Sequence, residues 1–333
     1  MNGSLQEKIS AYPGSLTYLD LIRRNRRDSA MIMIVMILLG MCVGGAIAAS
    51  LAFYSGLDPG ELLGSVMLGA LAALLAGSLA TAWSWFGGAS AILSMSGARP
   101  IEKSQDPELF NVVEEIAIAA GLPMPRVYLI DDSAMNAFAT GRDPEHAAVA
   151  ITTGLRQRLT RDELQGVLAH EVAHVRHFDI RFGMLMATMV GLIVFACDAF
   201  WRIAFRTGRI GRRSGGKNGG AAVLVVIVIA LVLAIIAPLF ARLLQLAYSR
   251  RREYLADAGG VELTRNPEGL ASALGKLAGD TDPLVDTANR GTAHLFIVNP
   301  LERMRASGQS LNTMFSSHPP IQDRIARLLA LVR

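Results

Sequence analysis

Cysteine is nearly absent: Cys42 and Cys197 are the two in 333 residues, and both lie inside apolar runs. That argues against a disulfide framework and against a thiolate metal site, so any metal site has to draw on histidine and carboxylates. Charge is scarce too, at 18% of residues against about 25% in an ordinary soluble domain. Because 52% of the chain is hydrophobic, a disordered or polar linker protein is excluded. The charge that is present is balanced to a net +4, which leaves no footprint of a nucleic-acid partner. No internal repeat is visible.

What the sequence has instead is long uncharged runs. Ala30 to Tyr54 and Leu62 to Phe86 carry no charge over 25 residues each, above the roughly 20 that a helix needs to cross a hydrocarbon core. Asp58, Pro59, Gly60 and Glu61 sit in the short connection, so the two runs are expected to form a transmembrane helical hairpin. Arg23, Arg24, Arg26 and Arg27 precede it, and the positive-inside bias puts that end in the cytoplasm. A basic region, an apolar run and the small-residue triplet Ala46, Ile47, Ala48 also make the pattern of a cleavable leader. The run is longer than the roughly 7 to 15 residues of a leader core and a second span follows at once, which favours an uncleaved anchor.

The second apolar pair is less clean. Phe182 to Cys197 holds 16 uncharged residues before Asp198, Trp201 and Arg202 intervene, and Ala221 to Phe240 holds 20. Between them Thr207 to Gly220 is rich in Gly and Arg, with no expected regular structure. Two full crossings would put Arg202, Arg206, Arg209, Arg212, Arg213 and Lys217 on the outer side, against the positive-inside bias. This pair is therefore expected to form a less stably inserted hairpin that lines a hydrophilic cleft. In the polar remainder, Arg126 to Ile130 and Ala147 to Thr152 are rich in Val and Ile and read as short strands. The rest reads helical.

Thr160, Arg161, Asp162 and Glu163 form a capping box that starts a helix running to about Phe178. It carries His170, Glu171, Val172, Ala173 and His174, an HExxH pattern. Residues four apart share a helix face, so both imidazoles can bind one tetrahedral Zn²⁺ while Glu171 projects beside its water. The plain alternative is a solvated helix with two histidines. A catalytic site needs a third protein ligand. The metzincin spacing fails, because the positions three and six after His174 are His177 and Ile180; His177 reads as a polar helix residue. Glu253, on a helix continuing from the fourth run, is placed for the role, with Asp257 one turn on and able to accept from a ligand imidazole. Pairing of Glu253 with Arg250 or Arg251 on a solvated face is the competing reading.

HEVAH, then a paired apolar stretch, then EYLAD, then SSHPPIQDRIARL closely resembles the HtpX family of integral-membrane zinc metalloproteases, relatives of the CAAX prenyl proteases. The similarity includes Asn136, Ala137, Phe138 and Ala139 ahead of a strand and the run from Phe296 to Pro300. The resemblance implies one Zn²⁺ per chain on His170, His174 and Glu253, Glu171 as catalytic base, and Asn136 to Ala139 as a strand edge that binds extended peptide. It also suggests quality control of membrane proteins under stress in the bacterial cytoplasmic (inner) membrane, with the bilayer and polypeptides as partners. His318 is a candidate donor to the oxyanion, with Arg324 behind it on the last helix; alternatively His318 caps that helix while Pro319 starts it. For Asn136 alone, a turn is the alternative.

The expected fold class is α+β, mostly helical: a multi-pass membrane protein with a cytoplasmic zincin-like (gluzincin-type) metalloprotease domain. Its expected pieces are a cytoplasmic segment 1–29, a hairpin 30–86, a first catalytic part 87–181, a second apolar hairpin 182–240 with the basic loop 207–220, and a second catalytic part 241–333. Two rivals exist. An intramembrane protease would carry its motif inside an apolar span, whereas Arg161, Asp162, Glu163, Arg176, Asp179 and Arg181 flank these histidines. A membrane scaffold with structural zinc would need four ligands, and three are found.

Overall fold

The long apolar runs become a bundle of helices, and the polar remainder becomes an α/β domain at one end of it. A computed structural model describes residues 18–55, 59–206, 220–280 and 319–332. The first two runs lie in α1 (Tyr18–Ser55) and α2 (Leu62–Met95), joined through a short 3₁₀ turn at Pro59–Glu61. Both helices extend well past the uncharged runs, since a helix satisfies its own backbone bonds whether or not lipid surrounds it. The third run lies in α6 (Asp179–Arg206) and the fourth opens α7 (Gly220–Thr264), which continues unbroken into the polar domain. Arg27–Ala52, Leu62–Met95 and Asp179–Arg202 are long and apolar enough to cross a membrane.

Where the sequence suggested a hairpin lining a hydrophilic cleft, the described side chains of the second apolar pair include a large apolar contact with the bundle. Met186, Met189, Val190, Ile193, Cys197 and Phe200 of α6 pack with Met36 and Val43 of α1 and with Ala234, Ala237 and Ala241 of α7 in one apolar cluster. Asp198 and Arg202 fail to interrupt α6 because both are exposed on its outer side, where a charge costs the helix nothing in packing. The basic loop 207–219 lies outside the described residues.

Small residues set how closely α1 and α2 approach. A Cβ added at Gly44 would stand 2.6 Å from the backbone oxygen of Gly69, and one at Gly69 would collide with Ala48 and the Gly44 carbonyl. Such stripes let helices in lipid pack backbone to backbone, where burial of apolar surface supplies no drive.

In the polar domain, β1 (Arg99–Pro100), β2 (Arg126–Ile130), β3 (Ala137–Thr140) and β4 (Ala148–Thr152) form one sheet in the order β1-β2-β4-β3. Central β2 and β4 run parallel with Arg126 opposite Ala148, and β3 returns antiparallel with Ala137 opposite Ile151. One face of the sheet packs with α3 (Pro107–Ala120), α5 (Arg161–Arg176) and α8 (Pro267–Gly279) around Leu109, Val113, Ile151, Leu164, Leu168 and Leu274. Phe138 points the other way, into a smaller cluster with Leu93 and Ile130. A 3₁₀ turn at Pro144–His146, a short α4 (Thr153–Arg158) and a terminal α9 (Ile321–Leu329) complete the described elements.

The start of α5 is fixed by the capping box that its sequence announces. Glu163 accepts from the Thr160 N–H at 2.8 Å, and Thr160 Oγ1 accepts from the Glu163 N–H. Glu163 also takes Lys276 Nζ and Ser272 Oγ, each at 2.7 Å, which ties α8 to α5. Burial opposes its ionisation, but Lys276, Ser272 and the Thr160 amide outweigh burial and hold its carboxyl down to about 2. A depressed carboxylate contributes stability that is complete above its unfolded-state pKa and lost as pH falls through the folded value. Lys276→Met is expected to move the onset of acid unfolding to higher pH, followed by circular dichroism. Gly69→Val is expected to lower the thermal midpoint in detergent, at an overpacking cost of about 1–3 kcal/mol.

Candidate metal centre

Nearly every side of α5 is covered, so His170 and Glu171 are 1% and 3% exposed. At its C-terminus His177 takes the cap position, itself buried, and Phe178 follows with φ of 62°. A left-handed phenylalanine costs on the order of 1 kcal/mol. That turn delivers Asp179, the first residue of α6, to His174: Asp179 Oδ2 lies 3.1 Å from His174 Nδ1.

From the other side α7 crosses α5 closely. A Cβ at Gly260 would lie 3.2 Å from the His170 backbone nitrogen, so glycine permits the approach. This contact sets Glu253 and Asp257, one turn apart, against the histidines. Asp257 Oδ1 is 3.0 Å from His170 Nδ1, while the Glu253 carboxylate faces both Nε2 atoms, 3.7 Å from His170 and 3.5 Å from His174. One ligand atom from each of His170, His174 and Glu253 lies within 4.8 Å of the others.

Two arginines complete the centre. Arg324 of α9, fully buried, grips Asp257 with two bonds of 2.7 and 2.9 Å and reaches Glu253 Oε2 at 3.2 Å. Asp257 therefore stays well below the usual carboxylate range although burial opposes its charge. Arg252 Nε lies 3.2 Å from Asp179 Oδ1 and its ring neighbour is Phe182, 3.8 Å below.

These residues fit a divalent cation on two counts. Each imidazole has its Nδ1 on a carboxylate, which turns both Nε2 atoms toward Glu253, with Arg324 Nη2 3.4 Å from the ring nitrogens of His170. The second count is charge. Buried Glu171, Asp179, Glu253 and Asp257 against Arg252 and Arg324 leave two negative charges in excess, a state that the interior of a protein tolerates poorly. Burial disfavours a charged His174, yet Asp179 and Glu253 outweigh it and push the imidazole up to about 10. Burial lifts Glu171 above the ordinary carboxylate range. His177, by contrast, is pushed down to about 4 by burial and stays neutral beside the site.

Glu171 stands outside the three-ligand group and accepts from the backbone N–H of Ala139 on β3. The Thr152 N–H donates to the Asn136 carbonyl, so by the alternation of an antiparallel ladder Ala137 and Ala139 turn their backbone groups away from β4. Strand β3 is one of the two edges of the sheet, the one beside α5. Its side chains from Ala137 to Thr140 are buried, and Asn136 Oδ1 accepts from the Ala137 N–H. His318 and the run from Phe296 to Pro300 lie outside the described residues. Helix α9 opens at Ile321 with Pro320, not Pro319, next to it and no side-chain cap. The residues that sequence reasoning missed are Asp179 and Arg252; the one available signal was an acid five residues beyond HExxH.

An HExxH helix, a glutamate from a later helix and a small sheet, carried on apolar helices of membrane-spanning length, define a multi-pass membrane metalloprotease of the gluzincin type. The profile of peptidase family M48 matches residues 103–332. A protease HtpX homolog of Thermodesulfovibrio yellowstonii is 47% identical over 275 residues, 82% of this chain and 92% of that one. Another, from Lactiplantibacillus plantarum, is 44% identical over 312 residues, 92% of this chain and 97% of its own. The crystal structure of S. mikatae Ste24p aligns with 90% of this chain and 62% of that chain, at 17% identity and a TM-score of 0.49. The chain belongs to peptidase family M48 and groups within it with the HtpX proteases; it is a metalloprotease that hydrolyses peptide bonds.

Removing a carboxylate behind an imidazole frees the ring without touching a metal ligand. Asp179→Asn and Asp257→Asn are each expected to weaken metal affinity about 10- to 100-fold, read by competition against a chromogenic chelator.

Proposed function

We propose that the protein is a zinc metalloendopeptidase that cleaves polypeptides at the cytoplasmic surface of a bacterial inner membrane, with misfolded or damaged membrane proteins as its substrates under stress. The observation that carries this reading is the pair of imidazoles held through Nδ1 by carboxylates with both Nε2 atoms facing Glu253. Two histidines and a glutamate are the donor set of a catalytic zinc site that keeps one position open, which also argues against a closed structural site. The chemistry zinc supplies when bound is Lewis acidity, toward water and toward the scissile carbonyl.

The chain's own residues do the rest. Glu171 takes a proton from the attacking water and passes it to the leaving amine, and its burial suits a group that must hold that proton between the two transfers. The Ala139 amide aims its carboxylate. The outward carbonyls of Ala137 and Ala139, whose amides are taken by Asn136 Oδ1 and Glu171, offer an extended peptide acceptors to pair with, and because the side chains of β3 are buried the pairing reads backbone alone, consistent with broad specificity. Arg324 neutralises Glu253 and Asp257 and so acts through the ligands, not on the substrate. His318 remains the proposed donor to the developing oxyanion. Cleavage at the surface rather than within the bilayer is supported by the place of α5, whose apolar residues pack with the sheet, α3 and α8, apart from the cluster formed by α1, α6 and α7.

Two substitutions separate base from ligand. Glu171→Gln is expected to keep full metal content and lose about 10²- to 10⁴-fold in rate, whereas Glu253→Ala should lose metal and activity together. Metal analysis of the purified proteins beside a peptide-cleavage assay reads both; near-normal proteolysis by metal-loaded Glu171→Gln would remove that residue from the mechanism.

A further inference from the structure

Between α1, α2 and α6 the bundle leaves a cavity of about 700 Å³, in the range of sites that hold organic ligands, about 300–1,000 Å³. Its walls are apolar, among them Met36, Val43, Leu74, Phe86 and Leu192, and the hydroxyl of Ser78 is turned back onto the Leu74 carbonyl. On α2 it runs from Ala73 to Phe86, about 20 Å at ~1.5 Å per residue, about two thirds of a hydrocarbon core about 30 Å thick.

The end nearest the polar domain is cationic. Trp85 and Phe86 form the wall there, with the Arg181 guanidinium 5.4 Å from the Trp85 ring centre and the Arg142 guanidinium 5.7 Å from that of Phe86. Arg142 shares its charge with Asp143, 3.5 Å away, and contacts His146. Among the described residues no carboxylate pairs with Arg181, which stacks also on Phe178 at 4.9 Å. Arg181 lies on the face of α6 that carries Leu192 and Ala196 into the cavity, about two turns nearer the polar domain than the first lining residue, Met189. An apolar slot of this length, ending at a tryptophan and two arginines, matches a molecule with an acyl tail and an anionic head. A zwitterionic head would bring its own cation against the second guanidinium.

We propose that this cavity binds an acyl chain of an anionic bilayer phospholipid whose phosphate pairs with Arg181 and Arg142. The proposal rests on α1, α2 and α6 spanning the membrane, not on the identity of the metal or the substrate.

Single-tryptophan variants test it, because Trp85 lines the cavity and Trp83, 62% exposed, faces outward from the same helix. With the other tryptophans changed to Phe, each variant is reconstituted with brominated phosphatidylglycerol or brominated phosphatidylcholine and fluorescence quenching is followed. Trp83 should be quenched alike by both lipids, which verifies that the helix is embedded. Trp85 should be quenched at about fivefold lower mole fraction by the anionic lipid, the factor one basic residue contributes near an anionic surface. Arg181→Gln should abolish that preference. Gly77→Phe, whose side chain enters open space in the cavity, should protect Trp85 and leave Trp83 unchanged. Equal quenching of Trp85 by the two lipids, a preference that survives Arg181→Gln, or no protection by Gly77→Phe overturns the proposal.

Discussion

Two buried chains of alternating charge hold the metal centre, each running from a guanidinium through a carboxylate to an imidazole. Arg324, Asp257 and His170 form one, and Arg252, Asp179 and His174 the other. The arrangement is forced by electrostatics. Carboxylates raise the basicity of ligand imidazoles and fix their tautomers, but buried carboxylates need positive partners of their own. Remove either arginine and the adjacent acid becomes an unpaired buried charge, so the site and the local fold depend on the same contacts.

The arginines come from opposite parts of the molecule, and this is how distant elements converge on one centre. Arg324 arrives on α9, the last described helix, which packs on α8 and α7. Arg252 sits on α7 beside Glu253, bonds the Asp179 backbone carbonyl at 3.2 Å and reaches the Ser29 hydroxyl of α1 at 3.0 Å. Its guanidinium lies over Phe182, a member of the apolar bundle cluster. One side chain thus joins the imidazole support of His174 to the long apolar helices.

The opposite face of the centre is a backbone edge. Because Glu171 takes the Ala139 amide, the HExxH helix and the edge strand are tied to each other at that carboxylate. Every side chain of β3, Ala137, Phe138, Ala139 and Thr140, is buried, so what the strand presents along its edge is backbone.

What the residues determined by themselves is whatever depends on spacing along one element. The capping box at Thr160, the shared face of His170 and His174, the turn between Glu253 and Asp257, and the apolar runs all follow from helical periodicity or run length, and the two central strands were legible from their Val and Ile. The tertiary structure alone decided how these pieces meet. Asp179 was visible only as a charge flanking the motif, because its role requires the left-handed turn at Phe178 that sends it back toward His174. Arg252 follows Arg250 and Arg251 with nothing local to set it apart, and where the basic loop residues suggested a hairpin lining a hydrophilic cleft, the buried face of α6 packs in an apolar cluster along the bundle. Charge bias along a sequence carries no information about which helix faces will find complementary apolar partners. The excess of buried negative charge that suits a divalent cation is likewise a property of residues from α5, α6, α7 and α9 brought within a few ångströms, and no local pattern encodes it.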